Sequence, residues 1–284
     1  MILLSKISEI RSLVQEWRQK GESVGLVPTM GYLHEGHLSL MRCAQKECDR
    51  IVTSIFVNPM QFGPNEDLDN YPRSLERDRE LAEKEGVDAL FCPQDGEMYG
   101  SNYQTTVRVQ KLSQGLCGAD RPGHFDGVAT VITKLFNIIT PDAAIFGEKD
   151  FQQLALIRQL TLDLNFDIRI IGHPIVREAD GLAMSSRNKY LSIEDRKIAT
   201  CMYTALQKAR VLYREKGEGM PSDEIEKLAK ATIEANPQCA VEYTKVVHQL
   251  TLQSMEKVTD DSVLTLAMKV SGNVRLIDNG FLAL

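Results

Sequence analysis

The sequence predicts an α/β protein, with a Rossmann-like, doubly wound parallel sheet followed by a second, smaller α+β domain. From about residue 24 to residue 171, short apolar runs alternate with segments of helix length, which is typical of parallel strands joined by helices. After about Ser185 the order changes to helical segments followed by strand-like runs separated by turns. We therefore predict a first domain at residues 1–177 and a second at residues 178–284.

Each element of the first domain is predicted from its pattern of apolar residues. Nearly unbroken apolar runs indicate strands that are buried on both faces of a sheet. Such runs lie at residues 24–27, 51–57, 87–91, 143–146 and 168–171. Alternation of apolar and polar residues predicts an edge strand at residues 105–109. Helical periodicity is found at residues 37–48, 74–85, 126–139 and 150–164.

The second domain is predicted from the same patterns in a different order. A long helix is predicted at residues 193–216 and another at residues 222–235. Strands are predicted at residues 240–247, 262–268 and 274–277. Helices and strands are thus segregated rather than alternating, which is typical of a small α+β unit.

Composition and charge exclude several classes of protein. The formal net charge is −6, from 33 basic and 39 acidic residues, so we expect no nucleic-acid partner, because such binding needs a basic face. The six cysteines include no C-x-x-C pair, and we expect free thiols in a reducing compartment and no protein-held metal. Neither a signal-like apolar region nor a run of membrane-spanning length is present, so we expect a cytoplasmic protein without a membrane partner.

The segment from Pro28 to His37 lies between the first of these strands and the following helix. Gly31 permits backbone angles that other residues avoid, and Gly36 permits close approach of a ligand. The N–H groups and positive dipole at the start of a helix suit phosphate oxygens. His34 and His37 are three residues apart, so a tight turn can point both imidazoles at phosphate. An ordinary loop with two surface histidines is the alternative, but the strand–loop–helix context favours a triphosphate site.

Two further loops carry neutral polar or hydroxyl side chains. Asn58 and Gln61 follow a buried strand, and neutral amides suit a ligand with hydroxyl and carboxylate groups. Ordinary turn chemistry is the alternative for this pair. In the loop at the domain boundary, Ser185 and Ser186 stand beside Arg187, and two hydroxyls with a guanidinium can grip phosphate. A serine-rich interdomain linker is the alternative for this loop.

Lys149 is predicted at a helix N-terminus, where a cation is unfavourable unless an anion is close. This position indicates a phosphate ligand. Gln153 lies one turn later on the same side of the helix. A solvated Lys149 balanced by Glu148 and Asp150 is the alternative.

These segments together resemble a known family. Residues 28–31 and 34–37 resemble the HIGH motif of class I adenylate-forming nucleotidyltransferases, and residues 184–187 resemble a degenerate form of their KMSKS loop, within residues 178–188. With three further blocks in chain order, the whole chain is similar to the pantoate–β-alanine ligase family. These blocks lie at residues 56–62, 121–128 and 146–150.

The resemblance implies an ATP-dependent ligase of pantothenate biosynthesis. ATP and pantoate give pantoyl-adenylate and pyrophosphate, and the β-alanine amine then displaces AMP to give pantothenate. The implied partners are these small molecules with Mg²⁺, and family members are generally homodimers. Glu35 replaces the apolar residue of the HIGH motif, and no lysine flanks Met184 or follows Ser186, which leaves Lys149 and Arg187 to provide the cations.

The resemblance also implies the residues of the site. The implied catalytic residues, with His37 as proton donor, are His34, His37, Lys149, Ser185, Ser186 and Arg187. The implied ATP-binding residues are Met30, Gly31, Tyr32, Leu33, His34, Glu35, Gly36, His37, Gly147, Glu148, Lys149, Asp150, Val176, Met184, Ser185, Ser186 and Arg187. Gln61 is implied to bind pantoate and β-alanine, and Gln153 pantoate. Asn58 is implied as a further substrate-binding residue, and Val128 and Val131 are implied to wall the pantoate methyl groups.

Three other functions are weighed against this one. A nucleotidyltransferase acting on a phosphate or on nicotinate mononucleotide would share the histidine loop, but a phosphate acceptor calls for more basic residues. A truncated aminoacyl-tRNA synthetase is disfavoured by the acidic balance of the chain. A regulatory protein that binds nucleotide without catalysis is disfavoured by the presence of His37, Lys149 and the Ser185–Ser186 pair.

Overall fold

The computed structural model describes residues 1–64 and 66–283, which form two compact units. The first unit consists of Met1–Gln114, Gly118–Glu148 and Leu156–Pro174. The second consists of Gly115–Cys117, Lys149–Ala155 and the chain from Ile175 onward. The division into domains at residues 1–177 and 178–284 stays a prediction, and Asn65 and Leu284, which fall within those domains, lie outside the described residues.

A sheet of six strands forms the centre of the first unit. In chain order these strands are β1 (Ile2–Leu4), β2 (Val24–Thr29), β3 (Arg50–Ile55), β4 (Ala89–Phe91), β5 (Ala143–Gly147) and β6 (Arg169–His173). The helices up to residue 163 are α1 (Ile7–Gln19), α2 (Glu35–Glu47), α3 (Leu75–Lys84), α4 (Asp95–Met98), α5 (Cys117–Asp120), α6 (His124–Ile139) and α7 (Phe151–Asp163).

The strand order of this sheet is β1-β4-β3-β2-β5-β6, and every neighbouring pair is parallel. From β2 the chain moves through β3 to β4 on one side, then returns to β5 and β6 on the other. The direction of winding therefore reverses between β2 and β5, and ligands of such sheets bind beyond the carboxyl ends of the strands at this point. The doubly wound fold predicted from the sequence is confirmed.

The core of the first unit extends into the loop after β2. Leu33 from this loop is fully buried with Met41 of α2, Ile51 of β3, Leu90 of β4 and Ile145 of β5. Burial of each such side chain contributes roughly 1.5–3 kcal/mol relative to exposure. The apolar core therefore anchors one residue of the histidine loop directly.

The second unit contains a three-stranded antiparallel sheet in the order β7-β8-β9. Its strands are β7 (Cys239–His248), β8 (Ser262–Val270) and β9 (Val274–Phe281), and its helices are α8 (Ile193–Ile198), α9 (Cys201–Lys216) and α10 (Ser222–Glu234). Helix α10 packs on α9 and β7, and α9 packs on β9. The smaller α+β unit predicted from the sequence is present.

Two sequence predictions about individual elements are wrong, and the short first strand is missed. Residues 105–109 form no strand, because the Val107 N–H donates to Thr130 Oγ1 at 3.0 Å, where a strand partner would be needed. The helix predicted at residues 193–216 is divided into α8 and α9. At the break, Thr200 Oγ1 donates to the Lys197 carbonyl at 2.7 Å and competes with the helix backbone. Strand β1 is missed because three residues give too short a pattern.

In the described part of the chain, no helix combines the length and the apolar character that crossing a membrane would require. The six cysteines carry free thiols, four of them buried.

Candidate active site

The loop between β2 and α2 reverses direction through two residues in the left-handed region. Thr29, at the end of β2, donates its hydroxyl to the Ser54 carbonyl of β3 at 2.8 Å and accepts from the Gly31 N–H at 3.1 Å. Gly31 has φ 83° and Tyr32 has φ 50°. A Cβ at Gly31 would lie 2.9 Å from Ile55 Cγ2, so both conformation and space restrict this position to glycine.

A buried carboxylate holds this turn in place. Asp78 of α3 is 1% exposed, and its two oxygens accept from the Tyr32 and Leu33 N–H groups, each at 2.7 Å. Arg77 donates to the Leu33 carbonyl at 2.8 Å and stacks over the Tyr32 ring at 5.2 Å. Burial raises the pKa of Asp78, while the two amide donors favour its charged form. The left-handed turn therefore depends on a side chain from a different helix.

The turn places His34 and His37 together at the start of α2. His34 is the N-cap residue, and the two imidazole centroids are 4.1 Å apart. The His34 N–H donates to His37 Nδ1 at 3.4 Å. Because an acceptor nitrogen carries no proton, this bond assigns the neutral His37 ring a proton on Nε2. The predicted convergence of the two imidazoles at a helix N-terminus is present in the structure.

Two buried amides follow β3. Asn58 caps a short 3-10 turn whose last residue is Gln61, and the two residues are 1% and 8% exposed. Asn58 Nδ2 donates to Gln61 Oε1 at 3.1 Å and to the Gly127 carbonyl at 3.0 Å. Gln61 Nε2 lies 3.0 Å from Met30 Sδ, in the histidine loop. These amides are thus part of a connected buried network, which is more than ordinary turn chemistry requires.

Helix α6 approaches this turn at Gly127. A Cβ at Gly127 would lie 2.4 Å from the Met60 carbonyl oxygen, so only glycine permits the contact. Val128 follows directly and is buried, and Val131 lies almost one helical turn later, also buried. The structure brings these two valines onto the helix that supports the amide turn.

At the end of β5, Gly147 pairs with His173 of β6 in the sheet register. Burial lowers the pKa of His173, and the nearby Glu148 carboxylate opposes this shift. His173 is therefore mainly neutral at neutral pH. No pattern in the sequence singles out His173.

The second unit holds Lys149, Asp150 and Gln153. Lys149 lies in a 3-10 turn just before α7, and its carbonyl accepts from Asn279 Nδ2 of β9 at 2.9 Å. Its ammonium lies 3.7 Å from the Asp150 carboxylate. Gln153 lies in the first turn of α7. The backbone of Lys149 is thus fixed by a strand, while its side chain has an exposed carboxylate neighbour.

The loop from Val176 to Met184 folds back on itself in the second unit. The Met184 N–H donates to the Val176 carbonyl at 3.0 Å. Arg177 makes a two-pronged ion pair with Asp278 of β9, at 2.7 and 2.8 Å, and donates to the Gly181 carbonyl at 3.0 Å. The two backbone segments predicted to bind ATP are therefore neighbours, held to β9 by a charged pair.

Ser185, Ser186 and Arg187 follow this loop as the start of a 3-10 helix. Ser185 Oγ accepts from the Arg187 N–H at 3.2 Å. The Asn188 side chain donates to the Ala183 carbonyl at 3.1 Å. The hydroxyl and guanidinium groups predicted to grip phosphate are thus presented by one turn with a defined backbone.

The first unit brings together the histidine loop, the two amides and the α6 valines, whereas the cations and hydroxyls lie in the second unit. Asp78 and Tyr99 support the first group but were not predicted from the sequence. Tyr99 does so through its hydroxyl, which donates to Asn58 Oδ1 at 2.8 Å. Asp78 lies on a highly charged helix, and nothing in the local sequence distinguishes it from its solvated neighbours. Among residues 1–64 and 66–283, no three His, Cys, Asp or Glu side chains are grouped so that they could hold a metal ion.

The family model for pantoate–β-alanine ligase matches residues 2–281 of the chain. This chain belongs to the pantoate–β-alanine ligase family. A pantothenate synthetase from Desulfotalea psychrophila is 52% identical over 282 residues, which is 98% of each chain. One from Thermoanaerobacter sp. is 52% identical over 279 residues, 98% of each chain.

Solved structures agree with this assignment. The pantothenate synthetase of Thermus thermophilus has a TM-score of 0.94 and 43% identity over 99% of each chain. The pantoate–β-alanine ligase of Francisella tularensis, complexed with β,γ-ATP and β-alanine, has a TM-score of 0.82 and 33% identity, covering 100% of this chain and 98% of that one. The family, enzyme class and fold predicted from the sequence are confirmed.

The dependence of the histidine turn on Asp78 is testable with Asp78→Asn. An asparagine has one acceptor oxygen, so either the Tyr32 or the Leu33 N–H loses its partner, at a cost of about 1–3 kcal/mol of unfolding free energy. We expect faster native-state hydrogen exchange at these two amides, measured by NMR and corrected for global stability.

Asp88→Asn is the matched control. Asp88 accepts from the Ile51 N–H at 2.8 Å and pairs with Arg50 at 2.8 Å, at the amino end of β3. We expect it to lower stability without changing exchange at Tyr32 and Leu33. Unchanged exchange at both amides in Asp78→Asn would contradict the role given to this carboxylate.

Proposed function

We propose that this chain ligates pantoate and β-alanine to pantothenate through a pantoyl-adenylate, releasing AMP and pyrophosphate. The observation that carries the proposal is the loop from Pro28 to His37. It follows the strand at the topological switch of the sheet and places two imidazoles at a helix N-terminus. The complex of the Francisella tularensis relative with β,γ-ATP and β-alanine supports the same substrates here.

We assign residues 30–37 to ATP. The α2 N-terminus offers backbone donors and a positive dipole end to the phosphates. The His37 ring, protonated on Nε2, is a donor that can protonate or stabilise phosphate oxygen as charge builds there. The His34 ring packs against it at a tilt and shares this role.

We assign Gln61 to pantoate and β-alanine, with Asn58 as its support and Gln153 as a second pantoate ligand. Neutral amides can bind hydroxyl and carboxylate oxygens without repelling the attacking carboxylate. Val128 and Val131 offer apolar surface of the kind that the pantoate methyl groups need. The buried positions of Asn58 and Gln61 support this assignment.

We assign the cations and hydroxyls of the second unit to the phosphates. These residues are Lys149, Ser185, Ser186 and Arg187. Gly147, Glu148 and Asp150 are assigned to the nucleotide, with Gly147 and Asp150 at the ribose, and the backbone at Val176 and Met184 is assigned to the adenine. Lys149 supports the assignment because its ammonium precedes a helix N-terminus, a position that favours a nearby anion.

The reaction follows from these groups. A pantoate carboxylate oxygen attacks the α-phosphorus in line, and the bond to the bridging oxygen of pyrophosphate breaks. The β-alanine amine then attacks the acyl carbon, AMP departs with its oxygen, and the amine loses a proton. Positioning and charge stabilisation supply the catalysis. Mg²⁺ enters as MgATP, held mainly by phosphate oxygens.

We also propose that the enzyme acts in the cytoplasm as a homodimer, and that residues 1–177 and 178–284 are its two domains. The resemblance of the chain to its family supports the dimer and the domain division. The six free thiols support a reducing compartment.

Pantoate-dependent exchange between ATP and pyrophosphate tests the proposed reaction. We expect labelled pyrophosphate to enter ATP when pantoate and Mg²⁺ are present, without β-alanine, because adenylate formation is reversible. Nicotinate mononucleotide or an amino acid with tRNA should not replace pantoate. Absence of exchange from folded protein would contradict the adenylate mechanism.

Lys149→Ala tests the cationic assignment. The ion pair of this side chain with Asp150 is long and partly exposed, so we expect less than about 1 kcal/mol of lost stability. The rate of adenylate formation should fall on the order of 100-fold or more, because a cation that stabilises developing charge is removed. Single-turnover rates and urea unfolding measure the two effects.

Lys245→Ala is the matched control. Lys245 lies on β7, and its ammonium makes a partly exposed ion pair with the Glu226 carboxylate at 2.9 Å. We expect the Lys245→Ala variant to be about as stable as Lys149→Ala and to form adenylate at the rate of the unaltered enzyme. If the activity lost in Lys149→Ala is explained by a matching loss of folded protein, the role of the lysine is structural instead.

A further inference from the structure

A buried chain of hydrogen bonds runs from Tyr99 through Asn58 to Gln61. The Tyr99 hydroxyl donates to Asn58 Oδ1 at 2.8 Å, and Asn58 Nδ2 donates to Gln61 Oε1 at 3.1 Å. Tyr99 follows α4 and lies 41 residues from Asn58 in sequence. The proposed function assigns substrate contact to Gln61 but gives no part to Tyr99.

Groups that have only one hydrogen-bonding role show which side of the Asn58 amide carries the oxygen and which carries the nitrogen. The Met60 N–H can only donate, and it points at Oδ1 at 3.3 Å. The Gly127 carbonyl can only accept, and it faces Nδ2 at 3.0 Å. These two contacts independently place oxygen on one side of Asn58 and nitrogen on the other. The Tyr99 hydroxyl adds a second donor to the oxygen side.

The orientation of Asn58 determines that of Gln61. Since Asn58 Nδ2 is a donor, the Gln61 atom facing it is the oxygen, and the Gln61 NH₂ points to the opposite side. There its neighbour at 3.0 Å is Met30 Sδ, a weak acceptor. The Gln61 NH₂ is thus a donor that faces only a weak acceptor. A carboxylate or hydroxyl oxygen of a ligand would be a stronger acceptor for it than the Met30 sulfur.

Tyr99 is suited to act as a permanent donor. A phenol keeps its proton at neutral pH, and burial raises the pKa of Tyr99 further above that range. Its ring packs with Phe56 at 6.1 Å and Tyr103 at 4.9 Å, and the Lys134 ammonium lies 5.7 Å from its centroid. The aromatic packing restricts the direction of the hydroxyl.

We propose that Tyr99 is a positioning residue that fixes the Gln61 amide so that its NH₂ donates to an acceptor oxygen of the hydroxy-acid substrate. The inference rests on the proposed assignment of Gln61 to pantoate. A Gln61 amide held in this orientation favours an acid that places an acceptor oxygen opposite its NH₂. Without such an oxygen, the buried donor would face only the weakly accepting Met30 sulfur.

Tyr99→Phe tests the inference by removing one hydroxyl and keeping the ring. We expect the KM for pantoate in ATP–pyrophosphate exchange to rise roughly 3- to 12-fold, the equivalent of one hydrogen bond. The KM for ATP should stay within about twofold. Tyr103→Phe, the same change on the neighbouring ring, should alter neither value.

A double-mutant cycle with Gln61→Ala separates positioning from general support. If Tyr99 acts through Gln61, adding Tyr99→Phe to Gln61→Ala should not raise the pantoate KM further. An additive effect, or equal increases in the KM for pantoate and for ATP, would overturn the inference. Pantoate-dependent exchange by the unaltered enzyme confirms the proposed function separately, so the inference can fail while that function stands.

If Tyr99→Phe does not fold, Asn58→Ser tests the same chain one link nearer the substrate. A serine hydroxyl is too short to hold Gln61 Oε1, so the amide is released. We expect the same selective rise in pantoate KM. An unchanged pantoate KM in folded Asn58→Ser protein would overturn the inference.

Discussion

The pair of hydrogen bonds from the Tyr32 and Leu33 amides to the buried Asp78 carboxylate is the constraint on which the site depends. A left-handed conformation is unfavourable for Tyr32, and it persists because two short bonds and the burial of Leu33 outweigh its cost. This left-handed turn sets the residue at which α2 begins. His34 and His37 meet because this helix start is fixed.

The cations assigned to the phosphates lie apart in the chain from most of the neutral groups assigned to the acid. The first unit supplies the imidazoles and the neutral amides Asn58 and Gln61, whereas Lys149 and Arg187 belong to the second, together with the neutral Gln153. An acid that must attack phosphate benefits from neutral donors, because a cation would hold its carboxylate too strongly and an anion would repel it. Phosphate and pyrophosphate need cations. The proposed reaction uses this division of charge.

The fold was predictable because buried parallel strands leave nearly unbroken apolar runs, and the loops after them carry the functional side chains. The histidine pair was predictable because its residues are close in sequence. Asp78 was not, since its partner Tyr32 is 46 residues away and its helix otherwise reads as solvated. Tyr99 is 41 residues from Asn58, which is also too far for a local pattern to show. The wrong strand at residues 105–109 has the same cause, because the Thr130 side chain that replaces its partner is remote in sequence.

Transfer of oxygen-18 from pantoate to AMP tests the central claim most directly. With both carboxylate oxygens labelled and a single turnover in the presence of β-alanine, an adenylate pathway leaves one labelled oxygen in the phosphate of AMP and one in the amide carbonyl of pantothenate. Mass spectrometry of both products measures this. Unlabelled AMP, or label in orthophosphate with ADP as the nucleotide product, would contradict the adenylate mechanism.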